Sequence, residues 1–255
     1  MVFDTHVHTY ISADSLTVPQ DAVERARALG IGVCFTEHID YELPEGVNFY
    51  AVDVARYLDE YDGHRGDNTL LGLEIGFMSN LIGANRAAAN HDGVDFVLGS
   101  VHSVKGMDIV HGFFDRGIPM DECAREYLAD MEKMIIENDY FDSLAHLDYF
   151  CRYCPDKGFE LDYETYKDIY DRIFNMLAEG GKALELNTGR FGNPGAVAYW
   201  RGVLSGYAGR GGKYVTLGTD AHSASNIGRG FGEALEMADE AGLKPVYYKN
   251  RKMIT

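Results

Sequence analysis

Proline, cysteine and basic residues are scarce in this chain, and each scarcity excludes a class of protein. Glycine and proline are not in excess, with 29 and six among 255 residues. Together with 46% hydrophobic and 25% charged residues, this is the composition of a globular protein, not of a collagen, a coiled coil or a disordered chain. A chain of this length can bury a full hydrophobic core.

The sequence also lacks the segments that direct a chain to a membrane or across one. It has no run of about 20 apolar residues, so no membrane span is expected. The N-terminus, Met-Val-Phe-Asp-Thr-His, has neither the basic nor the apolar region of a signal peptide. We therefore expect a cytoplasmic protein whose four cysteines are reduced.

Positive charge is outnumbered, since 23 Lys+Arg oppose 40 Asp+Glu and the net charge is −17. Proteins that bind nucleic acids or anionic membranes need a basic surface, so neither partner is expected. Cys151 and Cys154 form a C-x-x-C that could serve redox chemistry or zinc binding. No second cysteine pair accompanies them, and packing is the simpler interpretation.

Seven short apolar runs alternate with amphipathic segments along the chain. The runs, which we predict as strands, cover residues 2–7, 32–36, 70–77, 96–101, 143–147, 183–187 and 214–218. The predicted helices cover residues 19–29, 53–61, 78–90, 120–138, 163–179, 195–209 and 227–241, the first with Thr17 as its cap and Gly30 at its end. The alternation predicts one α/β domain, residues 1–255, with parallel strands. An open doubly wound sheet and a closed barrel both fit.

Six of the nine histidines follow the carboxyl ends of predicted strands: His6, His8, His38, His102, His146 and His222. Glu74 and Asp220 lie at two further strand ends. In a parallel barrel these ends converge on the face where catalytic residues collect. His64 and His91 lie in polar loops and are predicted to be solvated. His111 lies in the loop after His102 and is left outside the predicted site.

The spacing of these side chains predicts metal ligands. His6 and His8 are two residues apart on a strand and therefore face the same point, and Asp220-x-His222 repeats the spacing. Imidazole with carboxylate and without thiolate suits zinc, manganese or iron. The number of ligands exceeds the needs of one ion and predicts two or three, with Glu74 as the bridge. Two such ions clamp the attacking and leaving oxygens of a phosphoryl displacement.

These motifs resemble the polymerase-and-histidinol-phosphatase (PHP) superfamily. Its opening D-x-H-x-H is similar to residues 4–8 here, and its acidic residue and histidine after the second strand are similar to Glu37-His38. Glu74, His102 and the D-x-H at residues 220–222 resemble its other motifs. Within the superfamily, residues 8–15, 145–153 and 184–190 look most like the histidinol-phosphate phosphatases.

The resemblance implies a distorted (β/α)7, TIM-like barrel with a trinuclear metal site. By resemblance, the first ion takes His6, His8, Glu74 and Asp220; the second shares Glu74 and adds His102 and His146; the third takes Asp14, His38 and His222. Glu37 would orient a ligand or hold a bridging water. Glu37, Glu74 and His222 are accordingly predicted as catalytic residues.

The resemblance further implies a phosphate clamp made of Arg152 and Arg190, because planar guanidinium groups bind phosphate oxygens in pairs. Arg229 is a third candidate. The expected mechanism is in-line attack on phosphorus by a hydroxide that bridges two metal ions. The sequence does not identify the acid that protonates the leaving group. Three acidic residues are candidates for the cationic groups of histidinol phosphate: Asp40, Glu42 and Glu45.

The leading hypothesis is therefore a phosphomonoesterase that hydrolyses L-histidinol phosphate to L-histidinol and phosphate in histidine biosynthesis. A second is a PHP phosphoesterase for another small ester, such as a nucleotide or sugar phosphate. A third is a non-catalytic PHP module, which predicts missing ligands, although every expected ligand is present. A metal-dependent amidohydrolase would need a lysine where Glu74 stands.

Overall fold

A computed structural model describes residues 1–42 and 50–255. The strands are β1 Phe3–Val7, β2 Gly32–Asp40, β3 Tyr50–Ala51, β4 Thr69–Gly76, β5 Phe96–Ser100, β6 Ser103–Val104, β7 Met107–Asp108, β8 Ser143–Leu144, β9 Ala183–Asn187, β10 Tyr214–Gly218, β11 Lys244–Pro245, β12 Tyr247–Lys249 and β13 Lys252–Ile254. The α-helices are α1 Pro19–Leu29, α2 Val54–Tyr61, α3 Ile82–Ala89, α4 Met120–Glu137, α5 Tyr149–Tyr153, α6 Lys167–Glu179, α7 Pro194–Gly209 and α8 Phe231–Glu240. None of the helices in the described ranges has the length and apolar character needed to span a membrane.

Parallel strands joined by helices form the main sheet, in the order β1-β2-β4-β5-β8-β9-β10-β11, and β3 pairs antiparallel with β2. The sheet curls until β1 meets the segment after β10. There the His8 backbone N–H donates to the Ala221 carbonyl at 2.9 Å, and the Ala221 N–H donates to the His6 carbonyl. The predicted distorted (β/α)7 barrel is confirmed, and the open sheet is excluded. β11 adds a short eighth parallel strand beside β10.

The two faces of the strands carry different cores. Side chains on the outer face, such as Phe35 and Leu73, pack with the helices in the larger apolar cluster. Inside the barrel, the amino ends of the strands carry a smaller apolar cluster that includes Phe3 and Phe96. The β12–β13 hairpin covers that end, where Tyr247 stacks on Phe3 with ring centroids 4.2 Å apart. Polar inward residues are therefore gathered at the carboxyl end.

Element boundaries follow the predictions within a few residues, with informative exceptions. β2 runs four residues further than predicted, to Asp40, because β3 and β4 both pair with its end. α1 ends at Gly30, which adopts φ 70°, as predicted. The prediction of Thr17 as its cap is wrong, because Val18 occupies the cap position and makes no side-chain bond. Helix α5 and the short hairpins β6–β7 and β12–β13 were not predicted.

Candidate metal centre

A bulge in β1 sets the direction of the first two histidines. Phe3 and Asp4 pair with Gly32 and Val33, but Val7 pairs with Phe35, so β1 holds one extra residue. Bulges of this kind redirect side chains next to functional sites. Phe3 points into the apolar end of the barrel, and beyond the bulge His6 and His8 also point inward, with ring centroids 5.1 Å apart.

Four donor atoms meet at the centre of the carboxyl end. Nε2 of His6 lies 3.3 Å from Glu74 Oε2 and 3.4 Å from Asp220 Oδ1. Nε2 of His8 lies 3.4 Å and 3.3 Å from the same two oxygens. Donors held about 2.1 Å from one tetrahedral zinc ion would lie about 3.4 Å apart. The spacing therefore fits a single ion bound by two imidazoles and two carboxylates.

Buried histidine nitrogens without hydrogen-bond partners support the same conclusion. His6 Nε2, His8 Nε2 and both ring nitrogens of His38 are buried and have no partner with hydrogen-bond geometry. A buried polar atom without a partner destabilises a fold by about 1–3 kcal/mol. Binding a divalent cation would satisfy these lone pairs, and the donor set of nitrogen and oxygen is one that zinc, manganese and iron accept.

A second group of donors surrounds the other oxygen of Glu74. Glu74 Oε1 lies 2.8 Å from His146 Nε2 and 3.2 Å from His102 Nε2. These two nitrogens are 3.5 Å apart. The carboxylate of Glu74 thus points one oxygen at each group, which is the geometry expected of a bridge between two ions.

A third group lies nearer the solvent. Asp14 Oδ2 is 3.4 Å from His38 Nε2 and 3.1 Å from His222 Nε2. The rings of both histidines stack against His8, with centroids 4.2 Å and 4.4 Å away. The structure therefore places all nine side chains predicted as metal ligands at the carboxyl end of the barrel, and their division among three ions stays a prediction.

Two buried carboxylates hold imidazoles in place: Glu185, which sequence reasoning missed, and Asp40, for which it predicted a contact with the substrate. Glu185 Oε1 accepts from His6 Nδ1 at 2.7 Å, and Asp40 Oδ1 accepts from His102 Nδ1 at 2.8 Å. Such bonds fix the tautomer of a ligand histidine and leave Nε2 for the metal. Each of these carboxylates faces a glycine on a neighbouring strand. A Cβ on Gly218 would lie 2.0 Å from Glu185, and a Cβ on Gly76 would lie 1.9 Å from Asp40.

Burial and neighbouring charges shift the pKa values of several side chains in this centre. Burial would raise the pKa of the Glu74 carboxyl, but His6 and His102 hold it well below its usual range. Burial opposes ionisation of Asp220 as well, and Arg152 and His6 keep its pKa far below normal. Burial and the neighbouring His38 lower the pKa of His8 to about 3, so its imidazole is neutral and can donate a lone pair.

Glu37 does not occupy the place that the sequence predicted for it. Its Oε1 accepts from the Thr9 hydroxyl and its Oε2 from the Ser12 hydroxyl, both at 2.6 Å. Neighbouring residues of a strand point to opposite faces, so His38 faces the barrel interior and Glu37 faces outward. Among the described residues, the hydrogen bonds of Glu37 therefore go to the loop that carries Asp14 and not to a predicted ligand side chain.

The two predicted clamp arginines lie in different surroundings. Arg152 borders the central cavity, and its guanidinium pairs with Asp220 Oδ2. Arg190 instead binds Glu160 through both terminal nitrogens and Asp148 at 2.9 Å, and it is not among the cavity-lining residues. Only Arg152 stands where the sequence predicted a clamp. Arg229 donates to the Gly189 carbonyl and also lies outside the cavity lining.

A cavity of about 300 Å³ opens over the three groups. Its lining residues are Asp14, His38, Asp40, Tyr50, Glu74, His102, Asp108, Val110, His111, His146, Tyr149, Arg152, Tyr153, Asp220 and His222. Sequence reasoning left out Asp108, His111 and the three tyrosines, because they come from a hairpin, a loop, the two-residue strand β3 and helix α5, which carry no periodic signal. His64 and His91, predicted as solvated, are absent from this lining.

The remaining sequence candidates lie elsewhere or are already paired. Asp40 bonds to His102 and is therefore occupied within the centre. Glu42 borders a different cleft, and Glu45 lies outside the described residues. Cys151 and Cys154 are buried free thiols, and neither belongs to a potential metal-binding group in the described ranges.

Comparison with known proteins identifies the family and the fold. Residues 4–189 match the PHP domain family. The chain belongs to the PHP domain family. A probable histidinol-phosphatase of Clostridium acetobutylicum is 33% identical over 253 residues and covers 99% of both chains. The histidinol-phosphatase of Lactococcus lactis is 30% identical and covers 94% of this chain and 91% of its own.

A solved PHP structure matches the whole molecule. It is the histidinol phosphate phosphatase of Lactococcus lactis in complex with zinc, L-histidinol and phosphate. The TM-score is 0.91 at 29% identity, and the match covers 100% of this chain and 99% of that one. The barrel described above is thus a PHP barrel.

Proposed function

We propose that this PHP protein is a metal-dependent phosphomonoesterase that hydrolyses L-histidinol phosphate to L-histidinol and phosphate. One observation carries the proposal. Seven of the nine proposed metal-ligand side chains line one cavity together with Arg152, and the other two, His6 and His8, contact its lining residues Glu74 and Asp220. The chain is also similar over its full length to a protein solved with zinc, L-histidinol and phosphate. The same convergence argues against the non-catalytic alternative, which predicts missing ligands. It also disfavours the amidohydrolase, because Glu74 stands where that class needs a lysine.

The proposed metal ligands fall into the three groups already described. His6, His8, Glu74 and Asp220 would hold one ion, Glu74 with His102 and His146 a second, and Asp14, His38 and His222 a third. Divalent ions bound there would lower the pKa of water and neutralise phosphate charge. Zinc is supported by the Lactococcus structure. The proposal also includes a total of three ions, with manganese or iron as alternatives to zinc.

Arg152 is the proposed phosphate donor. It borders the cavity, is one-quarter exposed, and is held by Asp220 and by the ring of Tyr149, 5.6 Å from its central carbon. An arginine supplies two parallel N–H donors to a phosphate. Glu74 and His222 are the proposed catalytic residues, whereas Glu37 acts through the loop at residues 9–14. Asp40 and Glu185 orient histidines.

The bulk acidity of the chain does not oppose an anionic substrate, because bound cations would determine the local potential. We propose a place in histidine biosynthesis and a cytoplasmic location, which the four free thiols support. We also propose that residues 1–255 act as one domain, because strands of the main sheet run from residue 3 to residue 245.

The deciding experiment measures turnover by purified protein loaded with zinc or manganese. L-histidinol phosphate is compared with a panel of nucleotide and sugar phosphates, and the chelated protein is the control. We expect kcat/KM above about 10⁴ M⁻¹s⁻¹ for L-histidinol phosphate and lower values for the panel. A higher kcat/KM for a nucleotide or sugar phosphate would show that this ester is the preferred substrate. The proposed metal site would be unaffected by that result.

A further inference from the structure

The cavity mouth carries an aspartate and a histidine that the roles assigned so far do not use. His111 Nδ1 lies 2.8 Å from Asp108 Oδ2, and both residues border the cavity. The other oxygen of Asp108 accepts from the Val110 N–H at 2.8 Å, which fixes the carboxylate. His111 Nε2 has no hydrogen-bond partner among the described residues, and the side chain is 78% exposed.

The position of this pair is tied to the metal centre by backbone bonds. The β6–β7 hairpin begins directly after His102, and the Ile109 N–H donates to the His102 carbonyl at 3.0 Å. Ile109 and Val104 are fully buried beneath it. Lys105 and Gly106 form the hairpin turn with positive φ. The Asp108–His111 pair is therefore anchored to the strand end that carries a proposed metal ligand.

The proposed reaction needs a proton on the ester oxygen, on the side of the phosphate that faces the cavity mouth. The phosphate of the substrate must lie at the floor, near the metal ligands and Arg152, so the alcohol part must extend towards the mouth. An alkoxide is a poor leaving group and departs readily only when it receives a proton. A positioned side chain that donates one accelerates such a step by about 10²–10⁴-fold.

Other groups in the cavity lining are less suited to donate that proton. The Asp40 carboxylate is bound to His102, and the Arg152 guanidinium is bound to Asp220. Tyr50, Tyr149 and Tyr153 are phenols, which are weak acids near neutral pH. Imidazole both gives and regains a proton in that range. An aspartate on Nδ1 stabilises the imidazolium, in which Nε2–H is the donor.

We propose that His111 is the general acid that protonates the leaving alcohol and that Asp108 is its positioning residue. The inference rests on the proposed phosphomonoester hydrolysis. The oxygen of water bonds to phosphorus while the bond from phosphorus to the alcohol oxygen breaks. The electron pair of that bond goes to the alcohol oxygen, which takes the proton from His111 Nε2. One proton of the water stays on phosphate, and the other is released and restores His111.

Leaving-group dependence tests this role. L-histidinol phosphate releases an alkoxide, whereas 4-nitrophenyl phosphate releases a stable phenolate that needs no proton. We expect His111→Asn to lower kcat for L-histidinol phosphate by about 100-fold or more and to change kcat for the aryl ester less than threefold. Asp108→Asn should also lower kcat for L-histidinol phosphate more than kcat for the aryl ester, but by a smaller factor than His111→Asn. His91→Asn, an exposed histidine outside the cavity lining, is the matched control.

Two readouts separate this role from others. Metal content of the His111 variant should equal that of the wild type, and ¹⁵N NMR of the resting protein should show His111 protonated at Nδ1, with that signal changed in Asp108→Asn. Equal losses for both esters, or a raised KM with kcat retained, would overturn the proposal. If the wild type prefers another alkyl phosphate, L-histidinol phosphate is not the substrate. The comparison of that alkyl ester with the aryl ester then still decides the role of His111.

Discussion

Asp220 shows how single residues serve two parts of the centre. Its Oδ1 lies 3.3–3.4 Å from the nitrogens of His6 and His8, and its Oδ2 pairs with Arg152. It adopts φ 54°, a strained value for a residue other than glycine. This backbone conformation directs the carboxylate between the two histidines and Arg152. The position of the Arg152 guanidinium therefore depends on the proposed metal site.

The two arginines should therefore differ when they are removed. Arg152→Ala should lower kcat/KM for the phosphate ester by at least about 100-fold and leave metal content unchanged, because it removes a charged phosphate donor. Arg190→Ala should instead destabilise the fold by about 2 kcal/mol, since buried Asp148 loses its charged partner. Steady-state kinetics and urea unfolding measure both effects. An activity loss in Arg190→Ala equal to that in Arg152→Ala would show that both arginines bind phosphate.

At the level of the strands, side-chain alternation decides which residues reach the centre. On β2, His38 and Asp40 point inward and Glu37 points outward, although all three are polar and adjacent in the sequence. On β9 and β10, Glu185 can approach His6 only because Gly218 has no side chain. Metal ligands, orienting carboxylates and glycines therefore form matched sets on neighbouring strands.

Gly218→Ala should disturb the contact between Glu185 and His6. Its Cβ would lie 2.0 Å from Glu185 Oε1 and 2.7 Å from His6 Cβ, so the carboxylate must move off the histidine. We expect zinc affinity to fall by about 10–100-fold, as is typical when the orienting partner of a ligand is lost. Competition with a fluorescent zinc chelator measures it. Gly232→Ala in α8, where nothing lies within 4 Å, is the control, and equal affinities in the two variants would contradict the argument.

Across the whole molecule, the proposed ligands come from the ends of strands β1, β2, β4, β5, β8 and β10 and from the loop after β1. Metal binding should therefore stabilise the closed barrel as a unit, including the junction of β1 with the segment after β10. It should also relieve repulsion among buried carboxylates in a chain of net charge −17.

Removal of metal should lower the melting temperature. A ligand at 1,000 times its Kd stabilises the folded state by about 4 kcal/mol per site, and about 1 kcal/mol shifts Tm by about 2–4 °C in a chain of this size. We expect a fall of roughly 10 °C or more after chelation, reversed by zinc, as measured by calorimetry. His8→Ala should show a smaller response to zinc. An unchanged Tm would mean that the nine side chains do not bind metal in the folded protein.

The sequence by itself determined the alternation of strands and helices and the choice of the proposed metal-ligand side chains. It could do so because strand periodicity and D-x-H spacing are local properties of the chain. Tertiary structure alone decided which carboxylates orient which histidines, since Glu185 meets His6 across 179 positions and Asp40 meets His102 across 62. It also placed Glu37 outside the barrel, Arg190 against Glu160 and His111 at the mouth of the cavity. These placements depend on bulges, strand curvature and hairpins, which position side chains through contacts between distant segments that no local pattern encodes.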